Sequence, residues 1–169
     1  MVGLLVRFNE NDSNILKKLF DGINFDFFDF DIASIESYES DMPNGWDYLS
    51  ELDYISSEQA KNRILNVNDI QAAPEFLELY IRPKDAKEDY FATYGEFIQS
   101  DYVMSVIIFD HRCIEICCKN ENWLSKICDN IASLSNIIHF TTVRKINEIK
   151  SEALLSIFRP RGSISIYDE

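Results

Sequence analysis

Glycine and histidine are scarce in this chain, which restricts the kinds of catalysis it could carry out. The 169 residues include five glycines and two histidines. The glycines are far apart: Gly3, Gly22, Gly45, Gly95 and Gly162. That spacing excludes a phosphate-binding loop or a dinucleotide fingerprint. Ser-His or Cys-His catalysis would have to use His111 or His139. No serine lies in a nucleophile elbow, so we predict no catalytic set and no cofactor site.

Long apolar runs are also missing. No segment approaches the roughly 20 apolar residues that span a bilayer. The N-terminal run from Val2 to Val6 is too short for a secretory signal. We therefore expect a cytoplasmic protein with no membrane partner. Hydrophobic residues make up 46% of the chain, which is enough for a packed core. The length fits one domain, residues 1–169.

Cysteine is absent from the first 112 residues, and the four cysteines then fall within 16 residues. They are Cys113, Cys117, Cys118 and Cys128. A secreted disulfide framework would distribute its cysteines along the chain. Structural zinc sites favour close C-x₂-C pairs, which this spacing does not provide. A zinc site or a catalytic thiol remains an alternative, but we expect reduced thiols buried in the core and no bound metal.

Lysine and arginine are absent from Leu19 to Ala60, a stretch that holds eleven acidic residues. The whole chain carries a formal charge of −13, and residues 1–60 carry 13 acidic against 3 basic side chains. Such a field repels nucleic acid and anionic lipid. It steers a basic protein toward this part of the surface. The alternative is that the acidity serves solubility alone.

Residue periodicity predicts ten elements in the order β-α-β-α-β-α-β-β-α-β. The clearest are a helix from Glu121 to Ser133 and a hairpin formed by Tyr102–Phe109 and Cys113–Cys118. Ser56 or Ser57 is predicted to begin a helix that buries Ala60 and Ile64. The hairpin indicates a single-domain α+β fold, with an antiparallel or mixed sheet and helices mainly on one face. The tail after Lys145 fits either helix or strand.

Five apolar residues alternate irregularly with three aspartates between Phe25 and Ile32. One β-bulge at Phe27-Phe28 would bring all five apolar side chains to one buried face. Asp26, Asp29 and Asp31 would then lie on the opposite, exposed face. These carboxylates could be metal ligands, a solvated strand face, or a row offered to a basic partner.

The loop from Asp41 to Tyr48 places aromatic side chains beside carboxylates. Tryptophan and tyrosine are enriched in the energetic centres of protein interfaces. We therefore take one set of residues as the candidate partner-binding site: Asp41, Trp46, Asp47, Tyr48, Glu51 and Asp53. The alternative is that Trp46 folds back into the core.

Three segments in the middle of the chain resemble a known family. They are Thr93-Tyr94-Gly95-Glu96-Phe97-Ile98-Gln99-Ser100-Asp101, Ile107-Ile108-Phe109-Asp110 and Ile116-Cys117-Cys118-Lys119. The family consists of small bacterial proteins, common in bacilli, that carry a domain of unknown function. The resemblance implies an α+β fold and transfers no catalytic residues.

Three kinds of function are consistent with these features. The first is a protein that neutralises a basic partner, most concretely an immunity protein that occludes the active site of a bacterial toxin such as a nuclease. The second is a cytosolic regulatory domain whose ligand is unknown. The third is an enzyme that uses carboxylates or a thiol. A flat acidic surface with exposed aromatics would favour the first, and a pocket converging on Cys, His and Asp would favour the third.

Overall fold

Six strands form one antiparallel sheet in the computed structural model, which describes residues 3–8, 14–36, 56–66, 75–87, 91, 94–110 and 112–143. The strands are β1 (Gly3–Phe8), β2 (Phe28–Glu36), β3 (Phe76–Pro83), β4 (Met104–Phe109), β5 (Cys113–Cys118) and β6 (Ile137–Val143). Their spatial order is β2-β3-β4-β5-β1-β6, and every neighbouring pair is antiparallel. The α+β prediction is confirmed, and the sheet is antiparallel rather than mixed.

Four helices accompany this sheet in the described ranges. They are α1 (Ile15–Leu19), α2 (Ser57–Asn66), α3 (Tyr94–Gln99) and α4 (Glu121–Ser133). The order along the chain is the one that residue periodicity predicts. None of the helices described has the length and apolar character needed to cross a bilayer.

Side-chain caps fix the starts of the two longer helices. Ser56 and Gln59 form a capping box before α2: the Gln59 N–H donates to the Ser56 hydroxyl at 3.3 Å, and the Ser56 N–H donates to the Gln59 side-chain carbonyl at 3.0 Å. At α4 the Asn120 side-chain oxygen accepts from the N–H groups of Asn122 and Trp123 at 3.0 and 3.2 Å. Both caps satisfy donors that the first helical turn leaves without an intrahelical acceptor.

The main core lies between one face of the sheet and helices α1, α2 and α4. The sheet supplies alternate residues such as Leu77, Leu79 and Ile81 of β3. Each helix contributes one apolar face to this core: Ile15, Leu16 and Leu19 from α1, Ala60 and Ile64 from α2, and Leu124, Ile127 and Ile131 from α4. This packing confirms the prediction that helices lie mainly on one face.

A smaller apolar cluster covers the opposite face, where α3 packs. Its buried members are Phe91, Phe97, Tyr102, Ile107, Phe109, Cys113 and Cys117. Cys117 and Cys118 are neighbours on β5 and therefore enter different clusters, Cys118 joining the main core. Three of the four thiols are buried, Cys128 is half-buried, and these four cysteines form no disulfide in the part of the chain that the structure describes.

The prediction of a β-bulge at Phe27-Phe28 is wrong. Strand β2 begins at Phe28, and the preceding residues form a turn in which the Phe28 N–H donates to the Phe25 carbonyl at 3.0 Å. Phe25 and Phe30 are buried, but Phe27 is 77% exposed. The irregularity of β2 lies further on, between Ile32 and Ser34. The chain reverses where extended backbone was expected, so the ring of Phe27 is left outside the core.

Candidate interaction surface

The six residues predicted to bind a partner lie outside the described residues. They are Asp41, Trp46, Asp47, Tyr48, Glu51 and Asp53. The structure does describe residues 19–36 and 56–60 of the same stretch. In these parts the side chains of Asp21, Asp26 and Glu58 are exposed. His111 and the tail after Lys145 also fall outside the described ranges.

Two other aspartates of the stretch are paired with a base from a neighbouring strand. Arg82 of β3 is only 6% exposed. Its Nε donates to Asp31 Oδ2 at 2.6 Å, and one terminal nitrogen lies 3.6 Å from Asp29 Oδ2. The same nitrogen donates to the Ala86 carbonyl at 2.7 Å. The guanidinium therefore ties two carboxylates of β2 to the loop that follows β3.

Asp31 is the centre of this network. Its second oxygen accepts from the Ser57 hydroxyl at 2.8 Å, and Oδ2 also accepts from the Tyr102 hydroxyl at 3.1 Å. Burial acts to lower the pKa of Arg82, but the hydrogen bond and charge of Asp31 outweigh it, with further contributions from Tyr102 and Asp29. The net result is a raised pKa for Arg82, which stays cationic.

The expectation that Asp29 and Asp31 are exposed is therefore wrong. Their side chains are 26% and 19% exposed, and both face Arg82. The stretch contains no base in sequence, but a base reaches it in space, which reduces the negative field along β2. The sequence contains a signal for this pairing, because β2 carries aspartates and β3 carries an arginine, and opposite charges on neighbouring strands stabilise a sheet. The pairing could be predicted from that signal only if β2 and β3 were known to be neighbours.

The turn before β2 is held by bonds to its backbone and presents Phe27 to solvent. The Lys84 N–H donates to the Phe27 carbonyl at 3.0 Å. The Asp26 N–H donates to the Asn24 side-chain oxygen at 2.8 Å, and the Lys61 ammonium donates to the Phe25 carbonyl. Backbone groups and neighbouring side chains, not the Phe27 ring, thus make the contacts that fix this turn.

Aromatic rings continue from this turn into the core. Phe25 packs edge-on against Trp123 with ring centroids 5.0 Å apart, and Phe28 does so at 4.8 Å. Phe28 and Trp123 are half-buried. The contact between Phe28 and Trp123 lies where β2 and α4 begin.

Two thiols of β5, those of Cys117 and Cys118, are not activated for chemistry. Burial, helped by the charge of Glu115 and by Cys118, raises the pKa of Cys117 well above its ordinary value. Burial raises the pKa of Cys118 to about 12, although a backbone hydrogen bond at Asn120 acts in the opposite direction. A nucleophilic cysteine needs a lowered pKa. Among the residues described, no group of three or more His, Cys, Asp or Glu is placed to hold a metal ion.

The family model for proteins of unknown function named DUF2691 matches residues 1–153. The chain belongs to the DUF2691 family. The match includes all six strands, the acidic stretch and the six candidate partner-binding residues. An uncharacterised family is thus confirmed, and DUF2691 carries no activity or partner to transfer. No curated protein and no solved structure matches the chain.

Proposed function

We propose that this protein binds and neutralises a basic protein in the cytoplasm, as an immunity protein does for a bacterial toxin. The observation that carries the proposal is the acidic stretch from Leu19 to Ala60, in a chain of net charge −13. Among its described residues, exposed carboxylates lie in turns at Asp21 and Asp26 and in helix α2 at Glu58. A toxin that cleaves nucleic acid has a positive groove for phosphates, and a carboxylate surface fits such a groove.

The proposed mechanism is occlusion. Carboxylates occupy the positions that substrate phosphates would take and exclude the substrate from the toxin's active site. Asp41, Asp47, Glu51 and Asp53 are the first candidates for these contacts, because the paired Asp29 and Asp31 are already committed to Arg82. Trp46 and Tyr48 would add apolar contact area. Charge raises the association rate, and well-packed aromatics lower the dissociation rate.

The test is the binding of the protein encoded by the neighbouring gene, with rates measured at low and high salt. A variant reverses four acids of the stretch: Asp41→Lys, Asp47→Lys, Glu51→Lys and Asp53→Lys. A control reverses four exposed acids elsewhere: Glu96→Lys, Asp101→Lys, Asp110→Lys and Asp129→Lys. Both variants raise the net charge of −13 by the same eight units.

The proposal expects the first variant to associate at least about tenfold more slowly at low salt, and the control to change much less. At high salt the association rates of wild type and the first variant should become similar, because the Debye length falls to about 3 Å at 1 M. Equal effects in both variants would show that overall charge, not this surface, guides binding. Unchanged rates in the first variant would assign the acidity to solubility.

A further inference from the structure

Strand β6 forms an edge of the sheet and carries no charged residue. It pairs with β1 on one side, and none of the other described strands pairs with it on the opposite side. An edge strand presents backbone N–H and C=O groups that bind a further strand. Natural edge strands resist such pairing with lysine and other charges, with proline, or with a β-bulge. The seven residues of β6, Ile-Ile-His-Phe-Thr-Thr-Val, include no Asp, Glu, Lys, Arg or Pro.

The other edge strand, β2, has two of these protective features. Its nine residues include three acids, and its register shifts in the middle of the strand, between Ile32 and Ser34. In β6 the register shifts only at the start, opposite Phe8, and His139–Val143 pairs regularly with β1. The two edges therefore differ in the property that governs strand addition, and β6 is the edge suited to it.

We propose that β6 pairs with β6 of a second copy of the chain, antiparallel about a two-fold axis, so that the two sheets join edge to edge. This proposal does not depend on the proposed function. In a two-fold contact each strand meets its own sequence. Like charges directly opposite each other destabilise an antiparallel pair, and β6 has no charge to set against itself. Its β-branched and aromatic residues are the ones that strands favour.

The distribution of charge favours a second copy over a basic protein at this edge. Residues 130–143 are the longest run of the chain without Asp, Glu, Lys or Arg, and β2 in the acidic stretch lies at the opposite edge. In the dimer the two β2 strands would be eleven strand spacings apart, about 53 Å. The Debye length is about 8 Å at physiological ionic strength, so repulsion between the two acidic edges is screened. A basic protein is instead drawn to the acidic stretch.

Sedimentation of the full chain over a micromolar concentration series tests the pairing. Wild type should form a dimer with twice the 19.7 kDa mass of one chain. Thr141→Lys places a cation in the regularly paired part of β6, as natural edge strands do. Ala33→Lys is the matched control, because Ala33 is an exposed residue of β2. We expect Thr141→Lys to raise the dissociation constant of the dimer at least about fivefold, since the dimer gains two such lysines, and Ala33→Lys to leave it unchanged.

Hydrogen exchange provides a second measurement that needs no substitution. It applies to the amides of His139–Val143 that do not bond to β1. In wild type these amides should become protected as the concentration rises through the dissociation constant of the dimer. The amides of β2 should show no such dependence on concentration.

Four results would overturn this assignment. A wild-type monomer whose outer β6 amides exchange freely at every concentration would show that the edge does not pair. Protection that is independent of concentration would assign the edge to another segment of the same chain. Protection that appears in a monomer only when the protein encoded by the neighbouring gene is added would assign it to that partner. A dimer that Thr141→Lys leaves intact would join through another surface.

Discussion

Arg82 stands directly opposite Asp29 in the β2–β3 register, yet its short hydrogen bond, 2.6 Å long, goes to the diagonal residue Asp31. The long side chain allows one guanidinium to serve both carboxylates, since diagonal neighbours across antiparallel strands lie about 7–8 Å apart. Because Asp31 also accepts from Ser57 and Tyr102, this one pair connects β2, β3, α2 and the segment before β4.

Replacing Arg82 should destabilise the fold strongly. Arg82→Met keeps much of the apolar stem but leaves two half-buried carboxylates without their cation. Removing one partner of a buried ion pair costs about 3–5 kcal/mol, and we expect about 2–4 kcal/mol here because Asp29 and Asp31 retain some exposure. Urea denaturation of wild type and Arg82→Met measures this loss in the free energy of unfolding. Lys84→Met, at an exposed cation two residues on, should change the free energy of unfolding by less than about 0.5 kcal/mol.

Two phenylalanines three residues apart should differ strongly in how much stability the same truncation removes. Phe30 is fully buried and Phe27 is 77% exposed. Phe30→Ala should lower the free energy of unfolding by about 3–5 kcal/mol through lost burial and a cavity. Phe27→Ala should change it by less than about 0.5 kcal/mol. Comparable losses in the two variants would show that Phe27 is buried in solution.

Gly22 occupies backbone that a side chain would strain. Its φ is +75°, and a Cβ built there would lie 2.8 Å from Lys126 Cε. Lysine can move aside, so the main cost is the left-handed backbone, about 1–2 kcal/mol for Gly22→Ala. Gly95→Ala, at an exposed position inside α3, should instead stabilise by up to about 1 kcal/mol. Thermal denaturation should show a lower melting temperature for Gly22→Ala and a higher one for Gly95→Ala. A shift in the same direction for both variants would refute the backbone explanation.

Residue periodicity predicts the elements whose pattern is local. Helix α4 has the predicted ends, and the β4–β5 hairpin follows from two β-rich runs around a short turn. The turn at Phe25–Phe28 could not be read in the same way. Its Phe27 carbonyl is bonded by Lys84, far along the chain. A bulge and a turn fit the local sequence equally well, and this distant contact favours the turn.

The candidate surface was predictable only in its composition. The absence of bases between Leu19 and Ala60 is visible in the sequence, but the pairing of Asp31 with Arg82 depends on which strands are neighbours. Exposure of Phe27 likewise depends on the turn geometry. The six predicted contact residues between Asp41 and Asp53 lie outside the described ranges, so their role stays a prediction.

Cys118 should make the protein less stable at alkaline pH. Burial raises its pKa in the folded state to about 12, whereas an unfolded thiol has a pKa of about 8.5. The folded state therefore holds the proton more tightly. The stability that this provides is fully present below about pH 8.5 and is lost progressively as the pH rises toward about 12. Cys118→Ala removes the titrating group, so the variant should be less sensitive to alkali than wild type.

The measurement is urea denaturation of wild type and Cys118→Ala at about pH 8 and about pH 10.5 under reducing conditions. Wild type should lose about 1–3 kcal/mol more than the variant between these two pH values. Other groups that titrate in this range contribute equally to both proteins and cancel in the comparison. Cys128→Ala, at a half-buried thiol whose pKa is also raised by burial, serves as the control and should reduce the pH dependence less. Parallel losses in wild type and Cys118→Ala would mean that the Cys118 thiol titrates near its ordinary pKa and is open to water.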